Sequence, residues 1–161
     1  MKKVDFQEWC FCNETGNTID TMYDIRTPFV INGYEYATDG RVILRRKTRG
    51  KNTVGRRLPP LNCTNYLTDL AMAATSTNPW PIIDESVSRV PCFRCGLARP
   101  VNLRFTFQSG CFVNMDGRLV ERIGELGGVF YYYRPIQNGC AIAFRADGGI
   151  AGLVMGLVDV D

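Results

Sequence analysis

Two glycine turns, Asn32-Gly33 and Asp39-Gly40, lie seven residues apart between runs of β-branched and aromatic residues, and no other feature constrains the fold as tightly. Glycine tolerates positive φ, and Asn or Asp can hydrogen-bond its own backbone, so each dipeptide reverses the chain within two residues. Phe29-Val30-Ile31 enters the first turn, Tyr34-Glu35-Tyr36 leaves it, and Val42-Ile43-Leu44 follows the second. Residues 28 to 46 therefore read as a three-stranded antiparallel meander.

The second half repeats this grammar. Val101-Asn102-Leu103-Arg104-Phe105-Thr106-Phe107 alternates apolar and polar positions, and Ser109-Gly110 turns it into Cys111 to Met115, which predicts a hairpin. After Asp116-Gly117, Leu119, Ile123 and Leu126 fall at helical spacing and Gly127-Gly128 ends the run, so a helix is expected over 118 to 126. Strands are expected at 129 to 134, 140 to 145 and 151 to 158, the last two joined by Asp147-Gly148-Gly149. Nearer the N-terminus, residues 4 to 13 suit a short packed helix, although Cys10-Phe11-Cys12 fits a strand equally well. Thr64 or Asn65 can cap a helix whose Tyr66, Leu67, Leu70, Ala71 and Ala74 share a face. Residues 76 to 100, broken by Pro79, Pro81, Pro91 and Pro100, read as an irregular insertion.

Composition narrows the chemistry. At 161 residues, 45% hydrophobic and 22% charged, the chain has the size and balance of one globular domain. No apolar run approaches the ~18 residues of a membrane helix, and no apolar block follows Lys2 and Lys3, so neither a membrane partner nor an export leader is expected. Seven cysteines without a leader suit reduced thiols and a cytoplasmic setting. The absence of histidine excludes histidine-based triads and a histidine general base, and no carboxylate pair suggests divided acid and base roles.

Charge is concentrated. Arg41, Arg45, Arg46, Lys47, Arg49, Lys51, Arg56 and Arg57 place +8 within 17 positions, leaving −5 for the remainder of a chain whose net charge is +3. Such a block can bind DNA or an acidic protein surface through counterion release. It can equally be a solvated loop that keeps a strand edge from pairing with neighbours.

Two segments far apart in sequence carry a resemblance. Tyr36-Ala37-Thr38-Asp39-Gly40-Arg41-Val42-Ile43-Leu44 resembles the Ala-Thr-Asp-Gly-His-Arg strand of the bacterial DNA sliding clamp, the beta subunit of DNA polymerase III, and Gly149 to Val158 resembles its final strand. The departures are Arg41-Val42 in place of His-Arg and Met155-Gly156-Leu157-Val158 in place of Met-Pro-Met-Arg. The resemblance covers most of the chain except 76 to 100, and it implies an α+β, DNA-clamp-like domain over residues 1–161, with antiparallel sheets and helices packed on one face. In the clamp, the two segments build a peptide pocket for polymerases; the matching positions here are Thr38, Gly40, Arg41, Met155 and Leu157. They would meet across a head-to-tail contact in a homo-oligomer, or if a single domain folds them together. The resemblance implies a non-catalytic binding protein of phage or prophage type, acting in the host cytoplasm on DNA or on a host or phage protein of replication, repair or defence.

Two other functions compete. Cys92-Phe93-Arg94-Cys95-Gly96 has the form of a zinc knuckle, and with no histidine the two further ligands would come from Cys10 and Cys12, or from Cys63, Cys111 and Cys140. That would make a zinc-ribbon-like nucleic-acid binder. The same pair could serve a cysteine-dependent redox enzyme, although Pro91 and the segment after Arg94 offer no helix start to lower a thiol pKa. Trp80 and Tyr131-Tyr132-Tyr133 could stack bases, but aromatic residues are also favoured in sheets for packing.

Overall fold

The computed structural model describes residues 3–11, 23–59, 82–91, 98–107, 112–131, 135–136 and 139–156. Within them the protein is mostly antiparallel sheet with one α-helix. The strands are β1 (Phe29–Ile31), β2 (Tyr34–Thr38), β3 (Val42–Lys47), β4 (Ile82–Pro91), β5 (Ala98–Phe107), β6 (Phe112–Asp116), β7 (Val129–Tyr131), β8 (Pro135–Ile136), β9 (Gly139–Ala146) and β10 (Ile150–Met155). The helix α1 spans Gly117–Glu125, and Phe6–Trp9 forms a single 3-10 turn.

The expected meander forms. Asn32 and Gly33 both take positive φ, 50° and 81°, the conformation a two-residue hairpin needs to match strand twist, and Ile31 lies opposite Tyr34. The second turn is longer than two residues. Asp39 Oδ1 accepts from the backbone N–H of both Arg41 and Val42, at 2.8 and 3.1 Å, so Arg41 joins the loop and β3 starts at Val42. Gly40, at φ 93°, occupies the position an L side chain rarely adopts.

A larger sheet runs in the order β1-β2-β3-β10-β9-β7, with β8 also pairing with β9. Its centre joins the first and last parts of the chain: β10 pairs antiparallel with β3, Val154 opposite Val42 and Ala151 opposite Arg45. Beside it is a three-stranded sheet, β4-β5-β6. Here the structure corrects the expectation of an irregular stretch across 76 to 100, because β4 and the start of β5 occupy much of it. β4 is an edge strand, so Pro91 at its end removes no bond from a sheet interior. Pro100 lies beyond the stretch of β5 that pairs with β6, and next to a register shift against β4, where a missing N–H is tolerated. The helix anticipated from Thr64 to Ala74 lies outside the described residues.

Alternation along the strands gives the larger sheet two apolar faces. On one, Ala37, Val42, Leu44, Ile142, Phe144, Ile150 and Val154 pack with Leu103, Phe105 and Met115 of the smaller sheet, Leu119 and Ile123 of α1, and Phe6 and Trp9 of the 3-10 turn. Phe130 bridges Phe105 and Phe144, with ring centroids 5.4 and 6.2 Å away. On the other face a smaller cluster gathers Phe29, Tyr36, Ala143 and Leu153 with Ile43 and Leu58. Asp116 caps α1 by accepting from the Arg118 N–H at 2.9 Å, and Gly127 at φ 75° closes it.

Candidate functional site

The smaller apolar face continues into an open cavity of about 160 Å³ at the end of the sheet that carries the Asp39-Gly40 turn. Thr38, Gly40, Arg41, Val42, Ile43, Leu153 and Met155 of the sheet and its turn line it together with Tyr23, Ile25 and Pro59 of two loops. Four of the five residues named by the resemblance, Thr38, Gly40, Arg41 and Met155, thus surround one cavity within a single chain; Leu157 lies outside the described residues. No second copy is needed to bring them together.

Strand pairing explains this meeting. The Met155 backbone N–H donates to the Arg41 carbonyl at 2.8 Å, one step beyond the Val154–Val42 pair, so the last residue of β10 sits beside the turn. Leu153 and Met155 fall on the same face as Ile43 because side chains alternate along a strand. The turn is fixed from within: Thr38 Oγ1 accepts from the Gly40 N–H at 3.1 Å while Asp39 takes the next two donors. Thr38 and Asp39 therefore hold the rim's backbone in place.

The loop side of the cavity is held by Arg56. Its guanidinium donates to the carbonyls of Asp24, Thr27 and Pro28, the last at 3.0 Å, fastening residues 24 to 28 against 56 to 59. The Asp24 N–H donates to the Arg57 carbonyl at 2.8 Å and the Arg57 N–H returns to the Asp24 carboxylate at 2.9 Å, so Tyr23, Ile25 and Pro59 lie at the ends of one braced crossing. Ile25 and Pro59 are pocket residues that sequence reasoning missed; a lone isoleucine and a proline in polar loops give no periodic signal. Arg41 is the only charged side chain on the cavity lining among the described residues, two-thirds exposed and 3.5 Å from Asp116.

The eight cations of the basic block do not form one surface. Arg45 is buried, its guanidinium 4.2 Å from the centre of the Tyr34 ring. Arg46 pairs with Glu35 at 2.7 Å, donates to the Val4 carbonyl at 2.8 Å and covers the Phe6 ring at 4.0 Å. With Arg56, these three serve the fold. Arg41 lines the cavity and Arg57 pairs with Asp24 at 3.7 Å, whereas Lys47 at the end of β3 and Arg49 and Lys51 beyond it are exposed.

The two thiols of the knuckle, Cys92 and Cys95, lie outside the described residues, as do Cys12, Cys63 and Cys111. Cys10 is buried, its thiol donating to the Phe6 carbonyl at 3.5 Å, and burial pushes its pKa up from 9.0 to about 11, so it is a neutral packing residue. Among the described residues no group of three or more Cys, Asp or Glu is placed to hold a metal ion, and no helix is long and apolar enough to cross a membrane. No family model, curated protein or solved structure matches this chain.

Proposed function

We propose that the protein is a non-catalytic binding module whose cavity between the Asp39-Gly40 turn and the end of β10 receives an apolar side chain from a peptide segment of a partner protein. One observation carries this reading: Thr38, Gly40, Arg41 and Met155, pocket positions only by the resemblance to the sliding clamp, line the same cavity. Its chemistry is that of an anchor site, with Val42, Ile43, Leu153 and Ile25 as apolar walls and one exposed guanidinium, Arg41, at the rim. A buried apolar anchor supplies affinity, and a neighbouring acidic group on the peptide would pair with Arg41. The likeness to the sliding clamp supports the same use, in a stand-alone clamp-like domain of phage or prophage type that engages a replication, repair or defence protein.

Selection from a randomised peptide display library tests this. The expected result is enrichment of sequences with a Leu, Ile, Met or Phe beside Asp or Glu, with binding lost in Met155→Arg. Failure to enrich any sequence, or enriched peptides that bind Met155→Arg equally well, would overturn the reading.

A further inference from the structure

The end of the larger sheet opposite the cavity carries a second surface. After β3, residues 48 to 53 lie along the outer side of β1 as a strap. The Thr48 N–H donates to the Gly33 carbonyl at 2.9 Å, Val30 N–H to Thr53 Oγ1 at 2.8 Å, Thr53 N–H back to the Val30 carbonyl at 2.8 Å, and Asn32 N–H to Asn52 Oδ1 at 2.9 Å. The Gly50 N–H also closes on Thr48 Oγ1 at 3.1 Å. Thr48, Asn52 and Thr53 are thus used inward, while Lys47, Arg49 and Lys51 are exposed and, among the described residues, their side chains make no hydrogen bond or ion pair.

Edge protection does not account for these three cations. The strap already occupies the N–H and C=O of Val30, so β1 offers no free edge there for charges to guard. The charge of these segments is one-signed: residues 29–34 and 48–53 contain no acidic residue, and Glu35 is paired with Arg46. Four residues of chain span at most about 14 Å between Cα atoms, little more than one Debye length at 0.1 M salt, so the three side chains start close enough for their charges to reinforce one another.

We propose that Lys47, Arg49 and Lys51 form a contact for the phosphate backbone of a nucleic-acid strand, separate from the apolar cavity. A strand carries a phosphate about every 3.4 Å of helix rise, so roughly four face a row of this length. Peptides, by contrast, are gripped through side-chain pockets, a free strand edge or, for acidic motifs, a cluster of arginines, and only one of these three cations is an arginine. Lys47, Arg49 and Lys51 line none of the described cavities, and the neighbouring edge is filled. Exposed cations carried on a hydrogen-bonded strap suit backbone contact without base reading.

Fluorescence anisotropy of the full chain with labelled thirty-nucleotide oligothymidine and with a thirty-base-pair duplex, across a salt series, tests this. Three phosphate contacts give a slope of log K against log salt of about −2 on the single strand and about −2.7 on the duplex, so single-strand affinity should fall about twenty-fold from 50 to 200 mM. The triple variant Lys47→Ser, Arg49→Ser, Lys51→Ser should lose binding with an unchanged melting curve, and Arg41→Ser should retain it. The proposal is overturned by any of three results: no binding at 50 mM salt, binding that survives the triple variant, or tighter binding to an acidic peptide of equal charge. Peptide selection at the cavity is unaffected by the triple variant, so failure here leaves that reading separately testable.

Discussion

The Met155 N–H donates to the carbonyl of Arg41 at 2.8 Å, joining the end of β10 to the Asp39-Gly40 turn across 114 positions of sequence. This bond sets Met155 and Leu153 beside Ile43 and Thr38 and so makes the cavity a product of sheet register. A one-residue slip of β10 against β3 would turn both apolar side chains to the opposite face.

Arg56 should matter more to stability than a loop arginine ordinarily does. Arg56→Leu leaves three carbonyls without their charged donor and is expected to cost about 1–3 kcal/mol in urea unfolding. Arg56→Lys should recover only part of this, because an ammonium cannot present the planar fork that reaches several carbonyls. A loss in both variants below ~0.5 kcal/mol, the usual range for a surface change, would show that the crossing does not depend on Arg56.

The turn at the cavity rim is also testable. Gly40→Val places a β-branched residue at φ 93° and should destabilise by about 1–3 kcal/mol even though the space around Gly40 is open. Asp39→Ala removes the acceptor of two backbone donors and should cost about 1 kcal/mol. Thermal unfolding of both variants, with Gly50→Ala as a control at ordinary φ and only van der Waals contacts, separates backbone strain from crowding.

Gly152 supplies space. A Cβ there would lie 2.4 Å from the Phe144 ring and 2.6 Å from the Ile43 carbonyl, so Gly152→Ala is expected to lose about 1–3 kcal/mol through overpacking. Phe144→Leu should relieve only part of that loss, since the Ile43 carbonyl belongs to the backbone. Denaturant midpoints of the two single variants and the double variant give the coupling.

Cys10 contributes a stability term at high pH. Its thiol pKa rises from 9.0 to about 11 on folding because burial disfavours the thiolate. The native state therefore holds the proton more tightly: the contribution is complete below pH 9 and is lost between pH 9 and 11. Tyr36, also raised by burial, acts in the same direction. The difference between the wild type and Cys10→Ala, measured by urea unfolding at pH 8 and pH 10.5, should shrink at the higher pH; a constant difference would contradict the assignment.

How far the sequence disclosed this arrangement depends on where the information lay. Asn32-Gly33, Asp39-Gly40 and the spacing of Leu119 and Ile123 are local signals, and the meander and α1 follow them. The pairing of β10 with β3 is non-local and leaves no trace in periodicity, and only the resemblance to the sliding clamp links Thr38 with Met155. Proline misled at 82–91, because an edge strand tolerates what a central strand does not. Charge misled as well, since an arginine directed at backbone carbonyls, such as Arg56, looks in sequence like any exposed cation.

Amide chemical-shift mapping of the labelled protein with an enriched acidic-apolar peptide tests the apolar anchor site. Saturable shifts are expected at Tyr23 to Ile25, Thr38 to Ile43 and Leu153 to Met155, abolished in Met155→Arg and unaffected by serine at Lys47, Arg49 and Lys51. Shifts confined to Lys47 through Asn52, or no saturable shift at the cavity residues, would contradict it.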